Sequence, residues 1–327
     1  MTAAKNVTEI NKRERLMSTV ETLGISLVAI VLFVLFSCLA PKFYSQNNLV
    51  NIVKQVSIVA VLSIGMTCVF LIGGMDLSAG ANMFLSAVLL ASLLEMGVNV
   101  YLAMLICVIA CAITGTINGI IIERLHINCV IVTLGSQLAI RGLALVLIEQ
   151  FNSWIYVKDP VTRFINTGKP LLGLPTLFFV IVVLYAIAAL VLHRTNFGRQ
   201  IYAVGGNPRA AEFCGFNNAW IKTLCYTISG IAAALAGIIA ACRLGMVNPS
   251  VGNGYEFDAV TAVVLGGMSL KGGEGSVLKT LIGALIVAMI SNFMTLYGVD
   301  ANFKDFVTGL FILLAVLFNR FTQRQSA

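Results

Sequence analysis

The chain has 327 residues, of which 59% are hydrophobic and only 11% charged, and its net charge is +7. Soluble domains carry about 25% charged residues, so this chain has too few to cover a water-exposed surface. Together with a mean hydropathy of +0.95, this indicates an all-α polytopic membrane protein and excludes an ordinary soluble domain. No basic cluster with interleaved aromatic residues occurs, so the positive charge does not indicate nucleic-acid binding.

Apolar segments recur along the chain and predict about ten transmembrane helices, because roughly 20 apolar residues in a helix span a bilayer core. The first segment, residues 22–40, is uncharged and too long for a signal-peptide core of about 7–15 residues. The eighth, residues 258–265, is short and fits a half-helix buried among the others. The ten segments are residues 22–40, 52–72, 81–94, 100–122, 129–148, 171–192, 224–242, 258–265, 277–297 and 306–318.

The distribution of basic residues orients these segments. With the N-terminus in the cytoplasm, Lys and Arg are about twice as frequent in the inner segments as in the outer ones, as the positive-inside rule requires. This predicts that both termini are cytoplasmic. The whole chain, residues 1–327, is interpreted as one transmembrane domain, with an inner N-terminal tail at 1–20 and a large inner loop at 193–222.

Two stretches of the chain are nearly the same. "LIGGMDLSAG" covers residues 71–80 and "VLGGMSLKGG" covers residues 264–273; we call them the first and second glycine phrases. Neither contains the Lys-Ser/Thr of a phosphate-binding loop, so we interpret their glycines as structural hinges. Both are predicted at the cytoplasmic face as a parallel duplication, unless residues 258–265 fail to cross, in which case an inverted repeat fits. The predicted hinge residues are Gly73, Gly74, Gly266, Gly267, Gly272 and Gly273.

The inner loop contains strong signals for short helices. Asn207 is a good N-cap, Pro208 suits the first helical position, and Gly215 lies where a left-handed residue ends a helix. Residues 197–204 predict another short helix before it. Two interpretations remain open at this point: an ordinary capped loop, or a stiff docking surface for a cytoplasmic partner that presents Phe213.

The chain lacks the motifs of common enzymes. It has no phosphate-binding Gly-x-x-x-x-Gly-Lys-Ser/Thr, no Gly-x-Ser-x-Gly and no His-Glu-x-x-His, and its two histidines have too few potential ligands nearby for a metal site. We therefore predict no enzymatic activity, no cofactor and no metal. Asp76, Glu95 and Asp258 are placed near span ends, and Arg141 lies inside a span with no acidic partner evident. These features predict a translocation path whose energy comes from another protein.

Three stretches carry a family resemblance: "GGMDLSAG", "FGRQIYAVGGNPRAAEFCGFNNAWIK" and "VLGGMSLKGGEGSVLKTLIGALI". With the ten-segment layout, they resemble the permease subunits of bacterial ABC importers for monosaccharides of the ribose type. The resemblance implies an inner-membrane permease that acts with a second permease subunit, often a copy of itself, with ATP-binding subunits and with a periplasmic sugar-binding protein. It also implies an ATPase-coupling site in the inner loop, which we place at Gly205, Gly206, Asn207, Pro208, Arg209, Ala210, Ala211, Glu212, Phe213 and Gly215.

The sugar path is less specific in the sequence. Polar residues within apolar segments either line a pore or tie membrane helices together by hydrogen bonds; these candidates are Asn82, Asn118, Ser136, Gln137 and Asn292. Asp76 is expected to cap the helix that follows it or to pair with a basic residue. Two other functions stay open: a stand-alone sugar carrier or facilitator, and a membrane anchor or receptor that moves no solute.

Overall fold

The computed structural model describes residues 23–171 and 173–300, together with residues 303, 306, 307, 309 and 310. The elements in chain order are α1 (Leu23–Leu39), α2 (Gln46–Leu71), α3 (Ala79–Glu95), α4 (Val100–Leu125), α5 (Cys129–Glu149), β1 (Ile155–Tyr156), α6 (Pro160–Thr167), α7 (Thr176–Arg194), α8 (Asn196–Gly206), α9 (Pro208–Phe213), α10 (Asn218–Leu244), β2 (Met246–Val247), α11 (Tyr255–Leu265) and α12 (Val277–Leu296).

The predicted all-α membrane architecture is confirmed. Within the described ranges, six helices are long and apolar enough to cross a membrane, namely α2, α4, α5, α7, α10 and α12, and α1 and α3 are shorter apolar helices. The predicted count of about ten is not reached by this criterion. One reason is that α11 has only 11 residues, about 16 Å at 1.5 Å per residue. The predicted last segment lies mostly outside the described residues.

The helices divide into a central set and a peripheral set. About three-quarters of the apolar windows of α2 and α10 are buried, against 22% in α5 and in α7. Large apolar side chains on the peripheral helices therefore face outward, among them Leu138 of α5 at 76% exposure. Such surfaces suit lipid as the surrounding solvent, and the core lies around α2, α3, α10 and α12.

Helices α2 and α11 both run antiparallel to α12, and hence parallel to each other. Thr67 of α2 donates to Thr280 near the start of α12 at 3.2 Å, whereas Asn48 at the start of α2 pairs with Asn292 near the end of α12. In α11, the carbonyl of Ala262 lies against Gly283 of α12. Since α2 and α11 both end beside the start of α12, the two glycine phrases that follow them lie on one side of the bundle.

The opposite end of the bundle carries a short ribbon that the sequence did not predict. β1 and β2 pair antiparallel, with Ile155 opposite Val247 and Tyr156 opposite Met246. Nearby, Asn166 of α6 accepts a hydrogen bond from Lys54 Nζ at 2.9 Å and donates to the carbonyl of Arg243 at 3.1 Å. Strands of two residues each have no readable periodicity, and this explains why the sequence pattern missed them.

Candidate functional site

The inner loop forms the two short helices that its sequence predicts. α9 begins as expected, with Asn207 Oδ1 accepting from the amide of Ala210 at 3.0 Å and with Pro208 in its first turn. It ends at the left-handed Gly215, whose φ is +83°, and the amide of Phe216 donates to the carbonyl of Ala211 in α9 at 3.1 Å. The preceding helix, α8, covers Asn196–Gly206 and is somewhat longer than the predicted 197–204.

α9 presents its residues on two different sides. Phe213 is 93% exposed, the neighbouring Ala210 is also exposed, and Ala211 is buried at 4%. Single exposed apolar side chains are common on protein surfaces. Phe213 is a candidate contact because it lies on a short helix that is capped at both ends. The predicted coupling residues therefore separate by role: Ala211 packs against the protein, whereas Arg209, Ala210, Glu212 and Phe213 face outward.

Gly205, another residue of the predicted coupling site, lies where α8 meets both glycine phrases. A Cβ on Gly205 would overlap the carbonyl oxygen of Leu71 and would lie 2.7 Å from the amide nitrogen of Gly273. These two groups are themselves joined, since Gly273 donates to Leu71 at 2.8 Å. Gly206, in contrast, has open space where a Cβ would be. The end of α8 is thus packed directly against both phrases.

A tyrosine adds a second link between α8 and the second phrase. Tyr202 Oη donates to the carbonyl of Gly275 at 2.9 Å. Burial raises the pKa of Tyr202 to about 12, with a smaller contribution from the nearby Cys68. The phenol therefore keeps its proton, and with it this hydrogen bond, throughout the physiological pH range.

The first glycine phrase ends α2 with a two-bond cap. Gly73 takes a left-handed φ of +73°, and the amide of Gly74 reaches back to the carbonyl of Val69 at 2.9 Å. This 6→1 bond is the mark of the Schellman motif, which satisfies carbonyls that a helix end leaves free. A Cβ on Gly74 would also lie 2.6 Å from Tyr226 Oη, so this glycine is required by close packing.

The second phrase caps α11 with the same motif, but the motif is shifted by one residue relative to the alignment of the two phrases. Here Gly267 is left-handed at +76°, and the amide of Met268 donates to the carbonyl of Val263 at 3.2 Å. In the gap-free alignment of the phrases, Gly267 stands opposite Gly74 rather than Gly73. Of the other predicted hinge glycines, Gly266 lies against Thr280, and Gly272 and Gly273 have φ of +89° and +75°.

Asp76 of the first phrase is the centre of a buried polar network. It is 0% exposed. One carboxyl oxygen accepts from the amide of Ser78 at 3.0 Å and from its hydroxyl at 2.6 Å, and the other accepts from Ser229 Oγ of α10 at 2.6 Å. The expected capping role of Asp76 is not confirmed, because the N-cap of α3 is Ser78 and no side chain caps the helix there. Asp76 instead stabilises the turn before the helix, and its bond to Ser229 was not predicted. Because α3 begins only at Ala79, inside the bundle, this residue at a span end is also deep in the core.

Three of the predicted path residues extend this network. Asn82 and Asn118 both donate to Ser78 Oγ, at 3.3 and 3.0 Å. Thr114 of α4 donates to Asn82 Oδ1 at 2.5 Å, and Ser136 of α5 donates to Asn118 Oδ1. The start of α3 is therefore joined to α4, α5 and α10 through side chains that are almost all buried.

A second polar group lies beside this network and ties α5 to the segment that enters α11. Gln137 donates to Glu256 at 2.8 Å, and Arg141 donates to the carbonyl of Pro249 at 2.8 Å while its guanidinium lies 5.2 Å from the ring centroid of Phe84. Glu256 is 3% exposed, and its second oxygen has no hydrogen-bond partner among the described residues. Arg141 thus has partners that the sequence did not indicate.

The fifth predicted path residue lies elsewhere. Asn292 of α12 exchanges two hydrogen bonds with Asn48 of α2, at 2.9 and 3.1 Å, and both side chains are buried. Asn48 also donates to the carbonyl of Phe43 at 2.8 Å. The geometry is that of a tie between two helices, and it separates Asn292 from Asn82, Asn118 and Gln137.

Sequence reasoning missed Glu256 and Ser229. Glu256 precedes the predicted segment 258–265, although two acidic residues in the first turn of a short apolar helix are a signal for a polar contact in the core. Ser229 lies in the middle of an apolar helix, and nothing in the sequence distinguishes a serine that binds its own helix from one that binds a distant carboxyl.

Comparison with known proteins identifies the family. Residues 48–316 match the model described as "branched-chain amino acid transport system / permease component". The chain is 39% identical over 295 residues to the ribose import permease protein of Escherichia coli K12, covering 89% of this chain and 92% of the relative. It is 37% identical to that of Bacillus subtilis 168 over 316 residues, with coverage of 94% and 96%.

A more distant relative is named for a different sugar. The D-allose transport system permease protein of Escherichia coli K12 is 31% identical over 303 residues, covering 91% of each chain. No solved structure matches the chain. The resemblance predicted from the glycine phrases and the inner loop is confirmed, and the chain belongs to this family of transport permeases, together with the ribose import permeases.

Proposed function

We propose that the chain is the membrane-spanning permease subunit of an ATP-driven importer that moves a monosaccharide across the bacterial inner membrane. Its relatives are named for ribose and allose import, and both are neutral polyhydroxylated sugars. ATP hydrolysis is assigned to a separate ATP-binding subunit, and sugar delivery to a periplasmic binding protein. A second copy of this chain completes the translocation unit. In this proposal the chain itself catalyses no chemical reaction.

The observation that carries this proposal is the geometry of the inner loop. α9 is capped at both ends and exposes Phe213 almost completely, while α8 anchors it to both glycine phrases through Gly205. A rigid, exposed helix attached to the ends of α2 and α11 is suited to receive force from a moving partner and pass it into the bundle. A stand-alone carrier has no need of such an element.

The proposed topology has ten crossing or half-crossing segments with both termini in the cytoplasm. The described part contributes eight apolar helices and the half-length α11, and the tenth corresponds to residues 306–318. The inner side is then the side of the glycine phrases and of α9. The ribbon of β1 and β2 and helix α6 face the periplasm, where the binding protein arrives.

In the proposed cycle, closure of the ATP-binding subunits pushes on α9. The movement passes through α8 to Leu71 and Gly273 and through Ala211 into the bundle. α3 and α11 begin next to the polar networks of Asp76 and Glu256, so a shift of the glycine phrases changes the path between the helices. ATP drives the change because the nucleotide favours one of the two states. Asn82, Asn118 and Gln137 are the polar groups that we place along this path.

The test uses the importer reconstituted in proteoliposomes with its ATP-binding subunit and binding protein. Ala210→Asp combined with Phe213→Asp is expected to leave membrane insertion and unfolding temperature unchanged, because both residues are exposed. It should lower sugar uptake and binding-protein-stimulated ATPase activity at least about tenfold, as loss of a central apolar contact does. Tyr44→Asp is the matched control, since Tyr44 is a 59% exposed aromatic residue at the other end of α2.

Three outcomes distinguish the alternatives. Normal uptake by the double variant excludes α9 as the coupling contact. Uptake by the wild-type chain alone, without ATP or partner subunits, identifies a stand-alone carrier instead. Absence of uptake by the complete wild-type system for ribose, allose and related monosaccharides would contradict the proposed substrate class.

A further inference from the structure

A cavity of about 220 Å³ lies between α2, α10, α11 and α12. It is at the end of the bundle away from the glycine phrases, since it is bounded by the end of α10, the end of α12 and the start of α11. None of the residues discussed above as path candidates contributes to it. Its lining consists of Gln55, Val59, Arg243, Tyr255, Asp258, Val287, Ala288, Ser291 and Thr295.

The lining combines hydrogen-bond donors and acceptors over an apolar wall. Arg243 offers several N–H donors, Asp258 offers carboxyl oxygens, and the hydroxyls of Ser291 and Thr295 can do either. Gln55 Oε1 is buried and has no hydrogen-bond partner among the described residues. A buried acceptor without a partner is costly, and here it belongs to a side chain that lines an open space. The volume corresponds to about seven waters at roughly 30 Å³ each.

The charges of the lining favour a neutral occupant. Arg243 and Asp258 have opposite signs, so neither an anion nor a cation is matched by both. Lys54 is not part of the lining, and its Nζ donates to Asn166, which in turn donates to the carbonyl of Arg243. A neutral molecule with many hydroxyl groups can use both the donors and the acceptors.

A short surface helix lies beside the cavity. α6 has eight residues, between β1 and α7, and its Asn166 bonds to Lys54 of α2 and to the carbonyl of Arg243 of α10. α6 also packs into the bundle, because Thr162 is 1% exposed and Ile165 contacts the core. The cavity therefore lies near the junction of α2, α6 and α10, on the proposed periplasmic side.

We propose that this cavity is a binding site for a neutral polyhydroxylated molecule of the monosaccharide class, formed within a single permease chain. It rests on the proposed function for the identity of the ligand, and it adds a second site besides the polar networks at the starts of α3 and α11. Gln55, Arg243 and Ser291 provide its hydrogen bonds, and Val59 and Val287 contact the apolar face of the sugar ring.

The test measures equilibrium binding of radiolabelled D-ribose and of D-allose to the purified permease–ATPase complex in lipid nanodiscs, without the binding protein. Ser291→Leu places an apolar side chain in the cavity and is expected to weaken saturable binding at least about tenfold. Ser291→Ala and Gln55→Met keep the size of the side chain nearly constant and are expected to raise Kd about threefold to tenfold each, as loss of one hydrogen bond does.

The matched control is Ser92→Ala, which removes a buried hydroxyl that has no hydrogen-bond partner among the described residues and lies outside the cavity. It is expected to leave Kd unchanged within about twofold. The unfolding temperature and assembly with the ATPase are followed for every variant, and the two near-isosteric variants report on the site even where Ser291→Leu perturbs folding.

Sugar uptake in proteoliposomes is measured in parallel and separates the two proposals. Wild-type binding of either sugar that is lost in Ser291→Leu and weakened in the isosteric variants supports the site. Equal binding by the wild type and Ser291→Leu, or uptake by a wild-type complex that binds neither sugar, overturns the site and leaves the proposed function standing. Binding without any ATP-driven uptake overturns the proposed function and keeps the site.

Discussion

The two glycine phrases share their residues but differ in their surroundings. Each places a left-handed glycine directly after a helix, Gly73 after α2 and Gly267 after α11. From there the first phrase turns into the core, where Asp76 is completely buried, and soon starts α3. The second phrase makes a longer turn, in which Ser269 occupies the aligned position and is also buried, at 6% exposure, while the next residue, Leu270, is 42% exposed.

The comparison shows what this repeat in the sequence represents. Both aligned side chains accept a hydrogen bond from an amide two residues later, Asp76 from Ser78 at 3.0 Å and Ser269 from Lys271 at 3.2 Å. The helix caps, in contrast, are displaced by one residue. The repeated sequence therefore specifies a common local structure, a helix cap followed by a turn that a side chain stabilises. It does not specify a common partner in the core.

The largest expected difference between the phrases is at these aligned positions. Asp76→Ala removes the acceptor of three hydrogen bonds and leaves buried hydroxyls of Ser78 and Ser229 without that partner, so it should lower the free energy of unfolding by about 4 kcal/mol. Ser269→Ala removes one acceptor and should cost about 1 kcal/mol. Thermal unfolding of the purified variants in detergent measures both, and similar losses would contradict the different roles.

Sequence reasoning succeeded where the cause is local. The caps of α9 at Asn207 and Gly215 depend on residues within a few positions, so their types and spacing predicted them. It failed where the cause is distant. The bond from Asp76 to Ser229 spans 153 residues, and an apolar helix gives no sign of which neighbour each face will meet.

The count of membrane helices failed for a related reason. Hydropathy measures how apolar a segment is and not whether it reaches the far side of the bilayer, so the 11-residue α11 and the shorter α3 are ambiguous in sequence. The structure shows that both helices start inside the bundle, where Gly80 in the first turn of α3 lies against the buried carboxyl of Glu256 in the first turn of α11. The cavity beside α11 depends on four helices and had no local signal at all.

The next largest effect is expected at Gly205, which contacts both glycine phrases. Gly205→Ala places a methyl group on the carbonyl of Leu71 and close to the amide of Gly273, and backbone groups cannot move aside as side chains do. We expect a loss of about 2–3 kcal/mol in stability together with impaired coupling between ATP hydrolysis and uptake.

The adjacent Gly206→Ala is the matched control for that change. Gly206 has nothing within reach of an added Cβ and keeps an ordinary φ, so its variant should unfold at the wild-type temperature and transport normally. If the two variants behave alike, the contact of α8 with the glycine phrases is not the reason that Gly205 is needed.

A smaller effect distinguishes the two left-handed cap residues. Alanine at either position adopts an unfavourable φ, which costs about 1–2 kcal/mol. At Gly73 the added Cβ also comes within 3.1 Å of the carbonyl of Lys271, whereas at Gly267 its nearest neighbour is the end of a flexible side chain at 3.8 Å. Gly73→Ala should therefore have the lower unfolding temperature, and the reverse order would show that the environment of the caps is misassigned.

The smallest effect is expected at Lys271, the one position of the second phrase whose side chain is exposed while its backbone contacts the first phrase. Lys271→Ala keeps the amide that donates to Ser269 and the carbonyl that lies beside Gly73, so stability and uptake should change by less than about 0.5 kcal/mol and twofold, respectively. Lys271→Pro removes that amide donor and should destabilise the turn. Uptake that falls as much for alanine as for proline would mean that the charge itself acts, and that the second phrase does more than hold the first in place.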